Sequence, residues 1–516
     1  MNKSEELLEL IQSMSAAEKV YFKRYANRFW ENSNRKSIIL FKQLIKTGSA
    51  DINKNKKKNK PELQKHLPTD RNRLYELILD SLQSFYASTS IDKQVYDLLG
   101  KVEVLHNRGF FEPARKKLSK ARKLAQGHEK YDILIGINQW EKRIIYSSQF
   151  EDVKEKELHI LSEAEKSYIM CIDEVNEHWK LASVFYLNLR ITGRARTAEE
   201  KKFYDHMVGH SLLKTKEKLL SAESEMYKKL TLSRYTAAIS SFEEFDLHAG
   251  QLKELMEKEK FLIYKNPFIY CIASYNYLFA LITFCKFKEF YVNLSYYKNI
   301  PALFGLKQHK SIRDFITSTS INMELNVIME KGEYIKGIAL SDEVEPLLGQ
   351  WKKTNPIFAH FILSNIASCF FGEGHFREAL EWHNKKEYLE ESFLYWNRLF
   401  ELMLHFELGN NELLFSKMRS LYRYLLSRKT LYKPESLLID FFRKKIRQSG
   451  TRGKQVKTFT ELRDDLVKLM YDPREKETLP LFDLVSWLES KIENRPMKEI
   501  VREKSGYGLE EGKELL

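Results

Sequence analysis

Apolar residues return at helical spacing along most of the chain. In residues 71–86, Leu74, Leu77, Ile78, Leu82 and Phe85 advance by threes and fours, which gathers them on one side of a helix. Residues 37–46 do the same with Ile38, Leu40, Phe41, Leu44 and Ile45. Before them, residues 18–30 predict a helix that carries Val20, Phe22, Tyr25 and Phe29 among basic residues. Its start is marked by Ser15 and Glu18, three positions apart, the spacing at which each side chain reaches an orphan backbone amide of the other's turn. The lysine-rich stretch at 51–60 predicts a loop or a frayed helix end.

From residue 93 the periodicity comes in pairs of helices. Gly109 is followed by Phe111, Ala114, Leu118 and Ala121, with Val102 and Leu105 on the helix before it. A glycine at that point lets the first helix end in a left-handed turn that a Cβ penalises, and the small residue lets two helices approach closely. The constellation returns at Gly374 with Phe376 and Ala379, after Leu363, Ala367 and Phe370. Partial copies follow Gly332 (Tyr334, with Gly337 in place of alanine) and Gly409, where Asn411 and Leu414 replace the aromatic and the alanine. A weaker copy puts Cys285 where the glycine belongs, with Phe287 and Leu294 after it. Residues 130–265 are helical but carry no clean copy. There, residues 146–170 and 177–189 predict amphipathic helices, and 191–196 a helix-breaking turn.

These constellations resemble the tetratricopeptide repeat over about residues 96–125 and 270–425. The resemblance implies an all-α, irregular α-solenoid of helical hairpins. It is flanked by a basic helical N-terminal unit (residues 1–92) and, after the repeat array (93–430), a C-terminal helical cap and mobile tail (431–516). In the tail, helices are expected over 437–446, 459–471 and 481–492, a basic loop over 449–454, and mobility from about residue 495.

Composition supports the helical reading. Only 20 glycines and 11 prolines in 516 residues leave little punctuation for a many-stranded sheet. The 32 Phe, 27 Tyr and 7 Trp suit stacked helices. Four cysteines (Cys171, Cys271, Cys285, Cys369) stand far apart, which fits buried thiols of a reducing compartment and no zinc motif. The acidic residues in the first nine positions do not suit a signal peptide, so a cytoplasmic location is expected. The uncharged run 267–285 is broken by polar residues and is expected to be an inner helix, not a membrane span.

No catalytic or cofactor motif is present: no phosphate-binding loop, no H-E-x-x-H and no G-x-S-x-G, and His206 with His210 is the only histidine pair four apart. Function is therefore expected to be non-enzymatic, without cofactor or metal. The resemblance implies a scaffold that binds a protein or peptide partner in the concave groove. Its groove positions, counted back from each turn residue, fall on Tyr275, Phe279, Asn322, Asn326, Phe361, Ser364, Ser368, Trp396, Leu399 and Met403. The lysine and arginine of the family's clamp for a C-terminal carboxylate have no counterpart here. The net charge of +14 supplies the alternative, a nucleic-acid-associated regulatory protein. Residues 1–90 hold 17 Lys/Arg against 10 Asp/Glu, and a second basic run lies between Asp440 and Glu461. Possible phosphate contacts are Lys23, Arg24, Arg28, Arg443, Lys444, Arg452 and Lys454.

Overall fold

The structure, a computed structural model, describes residues 3–28, 32–47, 67–87, 90–214, 218–385, 391–428, 431–447, 452–470 and 483–505. The side chains at 3, 28, 32–35, 391–396, 445–447, 452–454 and 470 fall outside that description. Among the described residues there are 25 helices and no strand. By internal contacts the chain divides into two compact units, residues 1–175 with 307–310 and residues 176–306 with 311–516.

The first unit begins with four helices, α1 (Lys3–Ser13), α2 (Ala16–Arg28), α3 (Asn32–Thr47) and α4 (Leu67–Phe85). Leu7, Ile11, Phe22, Phe41, Leu44, Leu74 and Ile78 close a common core. The capping box forms as expected: Ser15 N–H donates to Glu18 Oε2 (2.6 Å) and Glu18 N–H to Ser15 Oγ (3.2 Å). Tyr86 donates to the other Glu18 oxygen (2.6 Å), and burial together with that carboxylate pushes the phenol up to about 12. Next come α5 (Ile91–Asn107), α6 (Phe111–Gln126) and α7 (Tyr131–Ser147), each packed on the next, and then α8 (Glu155–Thr192). The helix expected over 146–170 is interrupted. Three residues without glycine's freedom, Gln149, Phe150 and Asp152, take left-handed conformations there, so nothing in the composition flagged the break.

The second unit holds α9 (Ala198–Val208), α10 (Ser211–Lys214), α11 (Ala222–Ala238), α12 (Phe242–Lys258), α13 (Phe261–Lys265), α14 (Pro267–Thr283) and α15 (Phe287–Leu303). It continues with α16 (Lys310–Glu330), α17 (Tyr334–Thr354), α18 (Pro356–Gly372), α19 (Phe376–Asn384), α20 (Glu391–Glu407), α21 (Asn411–Arg428), α22 (Lys433–Arg447), α23 (Arg452–Met470), α24 (Leu484–Glu493) and α25 (Met497–Lys504). Consecutive helices pack on one another at α11/α12, α14/α15, α17/α18, α18/α19 and α20/α21. The 267–285 run becomes α14, with Pro267 in its first turn where a missing N–H costs nothing. No helix among the described residues is long and apolar enough to cross a membrane.

The turns explain how sequence becomes hairpin. Gly109, Cys285, Gly332, Gly374 and Gly409 are all left-handed, with φ of 76, 54, 63, 84 and 70°. Each closes its helix with the same two hydrogen bonds. At Gly374, the His375 N–H donates to Phe370 O and the Gly374 N–H to Phe371 O, both at 2.9 Å. A further turn of this type lies inside the stretch that showed no clean motif. Ser240 is left-handed (φ 57°), and Phe242, Phe245, Ala249 and Leu252 follow at the same offsets as after Gly109. Phe245, Ala249 and Leu252 are buried. The offsets survive there while the glycine and the small residue do not, which hid the hairpin from a motif search.

Gly337, at the offset where Ala114 and Ala379 follow Gly109 and Gly374, has a packing reason. A Cβ at that position would overlap Cys369 Sγ and lie 3.3 Å from Ile328 Cγ2, so α17 touches both α16 and α18 there. Gly372 makes the reciprocal allowance: its missing side chain leaves room for the ring of Tyr334.

The C-terminal helices depart from expectation. Arg452, Gly453 and Lys454 open α23 and do not lie in a loop. The segment from 495 onward, expected to be mobile, contains α25, with Ser505 as its C-cap. Glu407, near the end of α20, accepts from Trp487 Nε1 and Lys491 Nζ, both at 2.6 Å. Lys498 Nζ donates to Glu373 Oε2 at the end of α18 (2.8 Å), and Arg502 Nε to Gly332 O beyond α16 (3.2 Å). These cations sit where three helices leave carbonyls without intrahelical partners and present the negative ends of their dipoles. Residues 506–516 lie outside the described residues.

Candidate functional site

Four helices of the second unit, α14, α16, α18 and α20, are joined by side-chain amides and hydroxyls instead of apolar contacts alone. Asn365 on α18 is the centre: its Nδ2 donates to Asn322 Oδ1 (3.1 Å) and to Asn326 Oδ1 (2.8 Å), both on α16 one turn apart. Tyr275 of α14 stands beside Asn322 in turn; burial pushes that phenol up, and the charge of Arg194 and the Asn322 side chain work against the rise. On the other side, Asn397 of α20 lies 2.5 Å from His360 Nε2, and Ser364 Oγ is 3.5 Å from Asn397 Oδ1. The result is a ladder of polar groups running from α14 to α20.

Aromatic rings border it. Tyr275 stands edge-on to Phe358 (5.2 Å), Phe358 to Phe315 (5.6 Å) and to Phe361 (6.0 Å). Such edge-to-face contacts hold rings in fixed orientations beside the amides.

The expected groove residues separate into three groups. Tyr275, Asn322, Asn326, Phe361 and Ser364 belong to the ladder or its aromatic border, with Asn322 buried and the other four half-buried. Phe279 packs against Phe242 and Phe245, and Ser368 donates back to Ser364 O on its own helix (2.9 Å). Leu399 and Met403 are each 1% exposed and lie in the large core formed by α16 to α25, so as folded they offer no surface to a partner. The side chain of Trp396 lies outside the described residues.

Asn365, the residue that ties the ladder together, was not among those expected. It lies one position beyond Ser364, a rotation of about 100° round the helix, which turns it from the groove position toward α16. A search for asparagines within one residue of the groove positions on neighbouring hairpins would have found it.

The possible phosphate contacts fall in both units. Lys23 and Arg24 are exposed on α2 in the first unit. In the second, Arg443 pairs with Asp440 (2.8 Å) and Lys444 is exposed on α22. The side chains of Arg28, Arg452 and Lys454 lie outside the described residues. His206 falls in the last turn of α9 and His210 beyond its end, so the pair does not share a helical face. Among the described residues no group of three metal-ligating side chains comes together. No protein-family model, no curated protein and no solved structure matches this chain.

Proposed function

We propose that the chain is a tetratricopeptide-like scaffold of the cytoplasm that binds an extended protein segment along α14, α16, α18 and α20. Its work is recognition, not catalysis. The observation that carries this reading is the arithmetic of the asparagine ladder. Asn365 Nδ2 spends both of its hydrogens on Asn322 and Asn326. That leaves Asn365 Oδ1 as an acceptor and Asn326 Nδ2 as a donor, on half-buried side chains, with no further hydrogen bond among the described residues. One donor and one acceptor held by a rigid network complement the N–H and C=O of a peptide group, whatever its side chain. The aromatic border supplies apolar contact beside them.

The test is a library of displayed random peptides selected on the full chain. Selected peptides are expected to lose affinity about tenfold or more on Asn326→Ala/Asn365→Ala, since two hydrogen bonds contribute about 0.5–1.5 kcal/mol each. Peptides that bind the variant, still folded by its melting profile, as tightly as the parent would remove the ladder from recognition.

A further inference from the structure

In the same unit, the exposed side of α21 carries a different chemistry. Leu414, Met418, Leu421 and Leu425 are its buried side. The residues facing away, Phe415, Ser416, Arg419, Ser420, Arg423, Leu426 and Ser427, are all exposed. From Leu413 to Pro434 no acid occurs, and between Glu412 and Glu461 there are thirteen Lys/Arg against two acids. Both of those acids are spent. Glu435 is fully buried and paired with Arg196 (2.6 Å), and Asp440 pairs with Arg443.

The arginines on and beside α21 are also ordered. Arg419 lies over the ring of Phe415 (5.6 Å), Arg398 of α20 over Tyr424 (4.4 Å), and Arg443 of α22 over Tyr422 (5.4 Å). A guanidinium resting on a ring keeps its outer plane and its N–H edges available while losing little further freedom on binding.

We infer that the outer face of α21, with Arg398 and Arg443 at its borders, is a docking surface for single-stranded nucleic acid. Phosphates meet the acid-free row of Arg419 and Arg423, and unstacked bases meet the flat faces of guanidinium and Phe415. Flat stacking planes interleaved with positive charge favour this ligand over a lipid surface, which would need a deeper apolar wedge than Phe415 and Leu426 provide. The inference stands independently of the peptide groove, because it uses none of the ladder's residues.

Fluorescence anisotropy of the full chain with labelled 20-nucleotide oligo(U) and oligo(dT), at 50–200 mM KCl, tests it. Binding is expected at 50 mM and should weaken steeply with salt. Arg419→Ser/Arg423→Ser should weaken it tenfold or more and flatten the log–log salt slope by about 1.4, two phosphates at about 0.7 each. Phe415→Ala should weaken binding about fivefold or more at every salt concentration and leave the slope unchanged, as loss of a stacking plane requires. All three positions are exposed, so the fold should persist, and the single variant Arg423→Gln serves if the double one does not fold. Absence of binding at 50 mM, binding indifferent to these substitutions, or capture by phosphatidylserine vesicles that oligonucleotide does not displace would each overturn the inference.

Discussion

Gly337 and Gly349 share one helix and predict opposite responses to the same substitution. At Gly337 an added methyl runs into Cys369 Sγ and presses on Cys369 Cβ and Ile328 Cγ2, side-chain atoms buried in the core with little room to give. At Gly349 nothing lies within 4 Å of the added atom. Gly337→Ala is therefore expected to destabilise the second unit by about 1–3 kcal/mol, as overpacking does. Gly349→Ala should stabilise it by about 0.5–1 kcal/mol, through helix propensity alone. Urea unfolding of the two variants reads both signs. Equal effects would mean that the close crossing of α16, α17 and α18 does not govern that position. Residue-level signals of this kind were half legible: the turn glycines announced themselves because left-handed backbone restricts side chains, whereas Gly337 looked like a lapse from the repeat until its neighbours were in place.

Among the elements, α22 shows what sequence periodicity does not reach. Its Glu435 is fully buried and meets Arg196, which precedes α9 by two residues and lies 239 positions earlier in the chain. Arg196 also lies 3.8 Å above the ring of Tyr432, whose hydroxyl donates to Glu200 (3.3 Å), the N3 residue of the α9 capping box. Glu435→Gln removes the carboxylate but keeps its volume, leaving a buried guanidinium uncompensated. About 3–5 kcal/mol of destabilisation is expected, with early hydrogen exchange in α22. Replacing both partners by apolar residues, Arg196→Met/Glu435→Leu, should recover most of the loss. A double variant as unstable as the single one would contradict this. No pattern local to either segment carried the pairing. The capping box at Ser15, the amphipathic α4 and the elbow turns were legible because their determinants lie within a few residues of each other. The Arg196 pairing, the anchoring of α24 to the end of α20 and that of α25 to the ends of α16 and α18 depend on groups far apart in sequence, so α25 read as part of a loose tail.

At the scale of the whole molecule, pH acts through histidines held neutral inside the second unit. Burial pulls His248 and His405 below the ordinary 6.5; for His405 the carboxylate of Glu401, 3.9 Å away, partly opposes the fall. A histidine depressed in the folded state binds its proton more readily when unfolded. Its contribution to stability is thus intact above about pH 6.5 and declines as pH drops through that value toward the lower folded one. The urea midpoint of the second unit should fall between pH 7.5 and 5.5, and His248→Gln/His405→Gln should shrink that fall. A fall of the same size in the variant would place the acid sensitivity elsewhere.

The central claim is that the asparagine ladder reads a peptide backbone, and a two-by-two comparison tests it most directly. Calorimetry would compare a selected peptide with a series of its single backbone esters, which lack one N–H donor each, on the parent chain and on Asn365→Ala. One ester is expected to lose about two- to tenfold affinity on the parent chain and nothing further on the variant, a coupling of about 0.5–1.5 kcal/mol between that N–H and Asn365. Ester effects identical on both chains at every position would contradict the account.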